Sequence, residues 1–90
     1  MILTELAAKN ILHTMKKNGL NPREVVFEFI LLGNGGIGVG FNRDRQGTAE
    51  NYGELTVMIG NGVEVNNMVV DFQEINGRKG LIFLERKSND

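Results

Sequence analysis

Val25-Val26-Phe27-Glu28-Phe29-Ile30-Leu31-Leu32 runs directly into Gly33-Asn34-Gly35-Gly36-Ile37-Gly38-Val39-Gly40-Phe41. The first eight residues are dense in β-branched, aromatic and aliphatic side chains. Glu28 is their only interior charge, so they predict a strand with both faces mostly covered. Five of the eight residues from Gly33 to Gly40 are glycine. Beyond the loop, Ile37, Val39 and Phe41 alternate with small residues, which predicts a second strand. Gly33, Gly35 and Gly38 match the letters of the dinucleotide fingerprint G-x-G-x-x-G. That fingerprint also needs a helix N-terminus beneath the pyrophosphate and a βαβ crossover. Here glycine recurs where the helix would begin, at a cost of about 1 kcal/mol per position relative to alanine, and no crossover helix follows. No Lys-Ser or Lys-Thr follows the loop, so a Walker-type phosphate loop fails as well. A bulged strand connection requiring positive φ fits these residues better.

Upstream, Glu5 to Asn18 predicts an amphipathic helix. Thr4 is its expected N-cap, and Glu5 suits the first turn. Ala8, Ile11, Leu12 and Met15 make the expected buried stripe, with Lys9, His13, Lys16 and Lys17 on the other side. Asn18-Gly19-Leu20 reads as a Schellman stop, and Pro22 prevents continuation. Downstream, Asn42 to Gly53 reads as an exposed polar connection. Leu55 to Ile59 is a short strand, Gly60-Asn61-Gly62 a turn, and Met68 to Ile75 a strand with Val70 and Phe72 opposite Asp71 and Gln73. Asn76 to Gly80 is a hairpin connection opened by Asn-Gly, and Leu81 to Glu85 a closing strand. One helix followed by five or six short strands gives a β-rich α+β domain spanning residues 1–90.

Composition narrows the function. A chain of 90 residues buries roughly 60–65 % of its unfolded surface, enough for one thin core. Ten basic side chains face eleven acidic ones, so there is no basic field to attract a nucleic acid. The absence of cysteine removes disulfides, thiolate ligands and thiol nucleophiles. No stretch approaches the roughly 20 apolar residues of a membrane span, and Met1-Ile2-Leu3-Thr4-Glu5 lacks the basic start of a secretory signal. The expectation is a cytoplasmic protein with no nucleic-acid, membrane or nucleotide partner. Most of the eleven asparagines sit beside glycine or another asparagine, where turn residues belong.

Side chains capable of chemistry are scattered. His13 is the only histidine and shares its helix face with Lys9 and Lys17, so a metal or general base finds no partner at helical spacing. Asp71, Glu74 and Glu85 are the carboxylates near the late strands, read as charges that keep strand edges soluble. Ser88, Thr48 and Thr56 have no base nearby in sequence. The pairs Arg43 with Arg45, Arg78 with Lys79, and Arg86 with Lys87 lack interleaved aromatics. No catalytic residue, metal ligand or cofactor is expected.

The order of pieces resembles the HesB-like (IscA-type) family of A-type iron–sulfur cluster carriers. Ile2-Leu3-Thr4-Glu5-Leu6-Ala7-Ala8 is similar to the family's opening. Val26 to Leu32, Gly35-Gly36-Ile37-Gly38 and Phe41 follow its hydrophobic strand, glycine loop and aromatic strand. Leu55-Thr56-Val57-Met58-Ile59, Val70-Asp71-Phe72 and Gly80-Leu81-Ile82-Phe83 match its later strands in order. The resemblance implies a sandwich- or barrel-like core behind the N-terminal helix. It also implies a cluster site of one loop cysteine and a C-terminal Cys-x-Cys pair. The loop cysteine falls on Gly36, and the C-terminal pair has no counterpart before Asp90. Iron–sulfur ligation rests on thiolates, so cluster binding is not expected. Gly35, Gly36, Ile37 and Gly38 remain as a candidate contact loop, a degenerate form of the cluster loop. The implied function is non-catalytic, through contacts with a protein partner or in a homo-oligomer, linked to iron–sulfur assembly. The competing readings are a small structural subunit, for example of a phage or a complex, and a binder that uses the loop backbone as an anion nest.

Overall fold

The computed structural model describes residues 1–85. In chain order it forms β1 (Ile2–Leu3), α1 (Glu5–Lys17), β2 (Val26–Leu31), β3 (Ile37–Asn42), β4 (Thr48–Tyr52), β5 (Leu55–Ile59), β6 (Met68–Ile75) and β7 (Arg78–Glu85). The strands make two mixed sheets, one of three strands in the order β1-β6-β7 and one of four in the order β3-β2-β5-β4.

This corrects the expected fold class. The described residues hold seven strands rather than five or six, a strand precedes the helix, and the strands form two mixed sheets rather than a barrel. Two strands were hidden, for different reasons. β1 is two residues long and exists through its parallel pairing with Val69 and Val70. β4, Thr-Ala-Glu-Asn-Tyr, carries the composition of a loop. It is a strand because it pairs antiparallel with β5 from Thr48↔Ile59 to Tyr52↔Leu55.

The helix follows its caps. Thr4 Oγ1 accepts from the Ala7 N–H at 3.2 Å. At the other end the Leu20 N–H donates to the Met15 carbonyl at 2.8 Å and the Gly19 N–H to the Lys16 carbonyl at 3.1 Å, the two bonds of a Schellman stop. The buried stripe is Ala7, Ile11 and Met15, whereas Ala8 and Leu12 are only half-buried. The face is thus rotated from the expected one, because Ala7 and Ile11 follow Leu3 into the core and α1 lies against β6. Phe27, Phe29, Leu55, Val57 and Val70 complete that core.

The helix is also tied to the three-stranded sheet by a polar link. Thr4 Oγ1 donates to Asp71 Oδ1 at 2.7 Å, and the Thr4 N–H donates to the Val70 carbonyl at 3.0 Å. Asp71 also accepts from the Phe72 N–H at 2.8 Å. The Thr4 hydroxyl, then the Phe72 amide, hold the Asp71 carboxyl below its usual range.

Candidate functional site

The glycine loop is the tip of the β2–β3 hairpin. The Gly35 N–H donates to the Leu32 carbonyl at 3.0 Å and the Leu32 N–H to the Gly36 carbonyl at 2.8 Å. Gly35 has φ +85°. A turn closed this way, with its third loop residue left-handed, is a three-residue hairpin loop ending in a glycine bulge. Only at Gly35 does this loop need the glycine for its backbone angle. Asn34 Oδ1 accepts from the Gly36 N–H at 2.9 Å. The amides of Gly35 and Gly36 are therefore spent inside the turn and do not converge on an anion. A side chain at position 36 would meet Asn34 Oδ1 at 3.0 Å and Leu32 Cδ1 at 3.9 Å, so Asn34 would have to yield to it. Among the candidate contact residues, Gly35 and Ile37 are exposed, Gly36 is half-buried, and Gly38 is half-buried under Leu32 and Ile30.

The structure does not bring the candidate charged residues together. Asp71 lies on the face of β6 opposite Glu74, and Glu74 and Glu85 stand at opposite ends of the β6–β7 hairpin, across from Lys79 and Met68 respectively. His13 is exposed on α1. Among the described residues no group of three His, Cys, Asp or Glu side chains is placed to hold a metal ion, and no polar side chain is buried. Arg43 faces Glu24 at 3.8 Å, and Arg45 donates to the Arg23 carbonyl at 2.8 Å. Thr56 donates to Asn51 Oδ1 at 3.1 Å. Arg86, Lys87 and Ser88 lie outside the described residues. No helix among the described residues is long and apolar enough to cross a membrane.

What the structure does gather is apolar. Leu31↔Ile37, Phe29↔Val39 and Phe27↔Phe41 are paired across β2 and β3, so all six side chains share the inner face. Phe27 and Phe29 are buried, but Ile37, Val39 and Phe41 keep 39 %, 45 % and 39 % of their surface exposed. β3 is an edge strand, and no strand among the described residues pairs with its outer side. Beside it opens a cavity of about 250 Å³, bordered by Val39 and Phe41 of β3, Ile11 of α1, and Phe72 and Leu81 of β6 and β7. Sequence reading found the strand and the alternation, but not the exposure. Alternation sets Ile37, Val39 and Phe41 on one face and Gly38, Gly40 and Asn42 on the other, but whether the apolar face is covered depends on strand order.

Compared with family models, with curated proteins and with solved structures, the chain matches none.

Proposed function

We propose that the protein is a non-catalytic domain that works through protein contacts, and that the edge strand β3 with its hairpin tip is the contacting element. The observation that carries this reading is the exposure of Ile37, Val39 and Phe41 on an unpaired strand. A free, uncharged, apolar edge offers a strand of a partner both backbone hydrogen bonds and side-chain pockets. Cytoplasmic iron–sulfur assembly is the setting implied by the HesB-like order of motifs, with no cluster carried by this chain. A structural or assembly subunit is the second reading, favoured by a second free edge on β7.

Two measurements test the first reading. Anaerobic treatment with iron and sulfide should leave the protein colourless, and a visible absorption band with stoichiometric iron overturns the non-cluster function. The Val39 and Phe41 amides should exchange freely in the isolated chain. They should become protected when proteins retained from a lysate by the wild type, but not by Val39→Lys, are purified and added back. Unchanged exchange at those amides overturns the assignment to β3.

A further inference from the structure

The open edge of β7 carries its own complement. Asn76 and Gly77 close a two-residue turn, with φ of 52° and 78°, so Ile75 and Arg78 form a hydrogen-bonded pair at its base. Pairing alternates from there. Gly80, Ile82 and Leu84 therefore direct their backbone groups to Gln73, Asp71 and Val69 of β6. Lys79, Leu81, Phe83 and Glu85 direct theirs away from β6, and β7 is the last strand of its sheet. The side chains of the same four residues share the inner face. There Phe83 meets Phe29 edge-on, with ring centroids 6.1 Å apart, yet stays 44 % exposed. A base begins this row and an acid ends it, each three residues from Ile82.

We propose that two copies of the chain join through β7, antiparallel, about a two-fold axis at Ile82. In that register Leu81 lies opposite Phe83 of the second copy, and Lys79 lies opposite Glu85 of the second copy. Each contact occurs twice by symmetry. All four are positions whose backbone groups are unspent, so the two three-stranded sheets become one continuous sheet. Moving the axis to Leu81 sets Lys79 against Phe83, and moving it to Phe83 sets Glu85 against Leu81. Only the Ile82 register opposes unlike charges. Within its own copy Lys79 already faces Glu74, so its ammonium lies between two carboxylates in the dimer. This names one partner of the protein-contact reading but uses a different strand, and it leaves β3 free.

Sedimentation of the purified chain over a range of concentrations tests the proposal. The wild type should be a reversible dimer. Glu85→Lys and Lys79→Glu should each raise the dissociation constant roughly tenfold, because two cross-strand contacts turn from attractive to repulsive. An equal mixture of the two variants should dimerise as the wild type does, since both contacts in the mixed dimer again oppose Lys and Glu. That recovery separates an interface from any loss of folding in a single variant. Val39→Lys should leave the dimer unchanged while abolishing partner binding at β3. A wild type that stays monomeric at millimolar concentration overturns the proposal. So do charge reversals without effect, a mixture that fails to recover, or a dimer lost in Val39→Lys.

Discussion

The four-stranded sheet ends in two edges built on opposite terms. On the inner face of β4 stand Thr48, Glu50 and Tyr52, and the Tyr52 hydroxyl donates to Glu50 Oε1 at 3.1 Å. Burial, then that hydrogen bond to Glu50, push the Tyr52 hydroxyl up to about 12, so it stays a neutral donor. On the inner face of β3 stand Ile37, Val39 and Phe41, with no polar atom among them. The three-stranded sheet repeats the contrast. β1 is too short to template another strand, whereas β7 spans eight residues and ends openly. Short or polar edges are the usual protection against pairing with other chains. β1 and β4 have that protection and β3 lacks it, whereas β7 is long and carries its charges only towards its two ends, at Arg78, Lys79 and Glu85. The molecule is closed on two edges and available on two.

The largest effect should separate the covered part of the hairpin from its uncovered part. Phe29 and Phe41 lie on the same sheet face, each in contact with the Phe27 ring, but Phe29 is fully buried and Phe41 is 39 % exposed. Phe29→Ala should cost about 3–5 kcal/mol, transfer and cavity together. Phe41→Ala should cost about 1–2 kcal/mol, because water can enter the space it leaves. Urea unfolding of the two variants measures the difference. Equal losses would mean that β3 is core, and the comparison of edges would collapse.

A protected edge can be broken at its start. Gly47, just ahead of β4, has φ +109°, and a Cβ there would overlap the Ile59 carbonyl oxygen. Gly47→Ala combines a strained angle with a backbone clash and should cost about 2–3 kcal/mol. Loss of hydrogen-exchange protection should centre on the β4–β5 pairing, while β2–β3 keeps its protection.

The link that pins β1 should show itself through pH. The Asp71 carboxyl is held below its usual value, so its folded form favours ionisation. The stability this contributes is present above the unfolded value near 3.8 and is lost as pH falls through the lower folded value. Thr4→Ala removes both the helix cap and the main cause of that depression, and should cost about 1 kcal/mol at neutral pH. Its unfolding should also depend less on acid than that of the wild type. An acid dependence identical in the two proteins would detach Asp71 from the β1 edge.

How far the fold showed in the sequence follows from where each element gets its stability. Thr4, Gly19 and Leu20 announce α1 because capping is local chemistry, settled within a few residues. Gly35 announces the hairpin for the same reason. Ile2-Leu3 cannot announce β1, because its hydrogen bonds go to β6, far along the chain. Thr48 to Tyr52 cannot announce β4, because a polar edge strand has the composition of a loop. The candidate site was half visible. Alternation shows that Ile37, Val39 and Phe41 share a face, but whether anything covers that face depends on strand order. That order places β3 outermost, which no local pattern records.

The smallest change in stability should accompany the clearest change in behaviour. Val39 projects from an edge strand with nearly half its surface in water, and Gly38 and Gly40 flank it. A lysine there can lay its stem along Phe41 and Ile37 and keep its ammonium solvated. Val39→Lys should therefore unfold within about 0.5 kcal/mol of the wild type. It also places on β3 the kind of charge that natural edge strands use to refuse partners. If β3 is an available edge, contact with partner proteins disappears although the fold is intact. If Val39→Lys unfolds the protein or leaves contact unchanged, then β3 is either core or inert, and the exposed apolar row has no role in recognition.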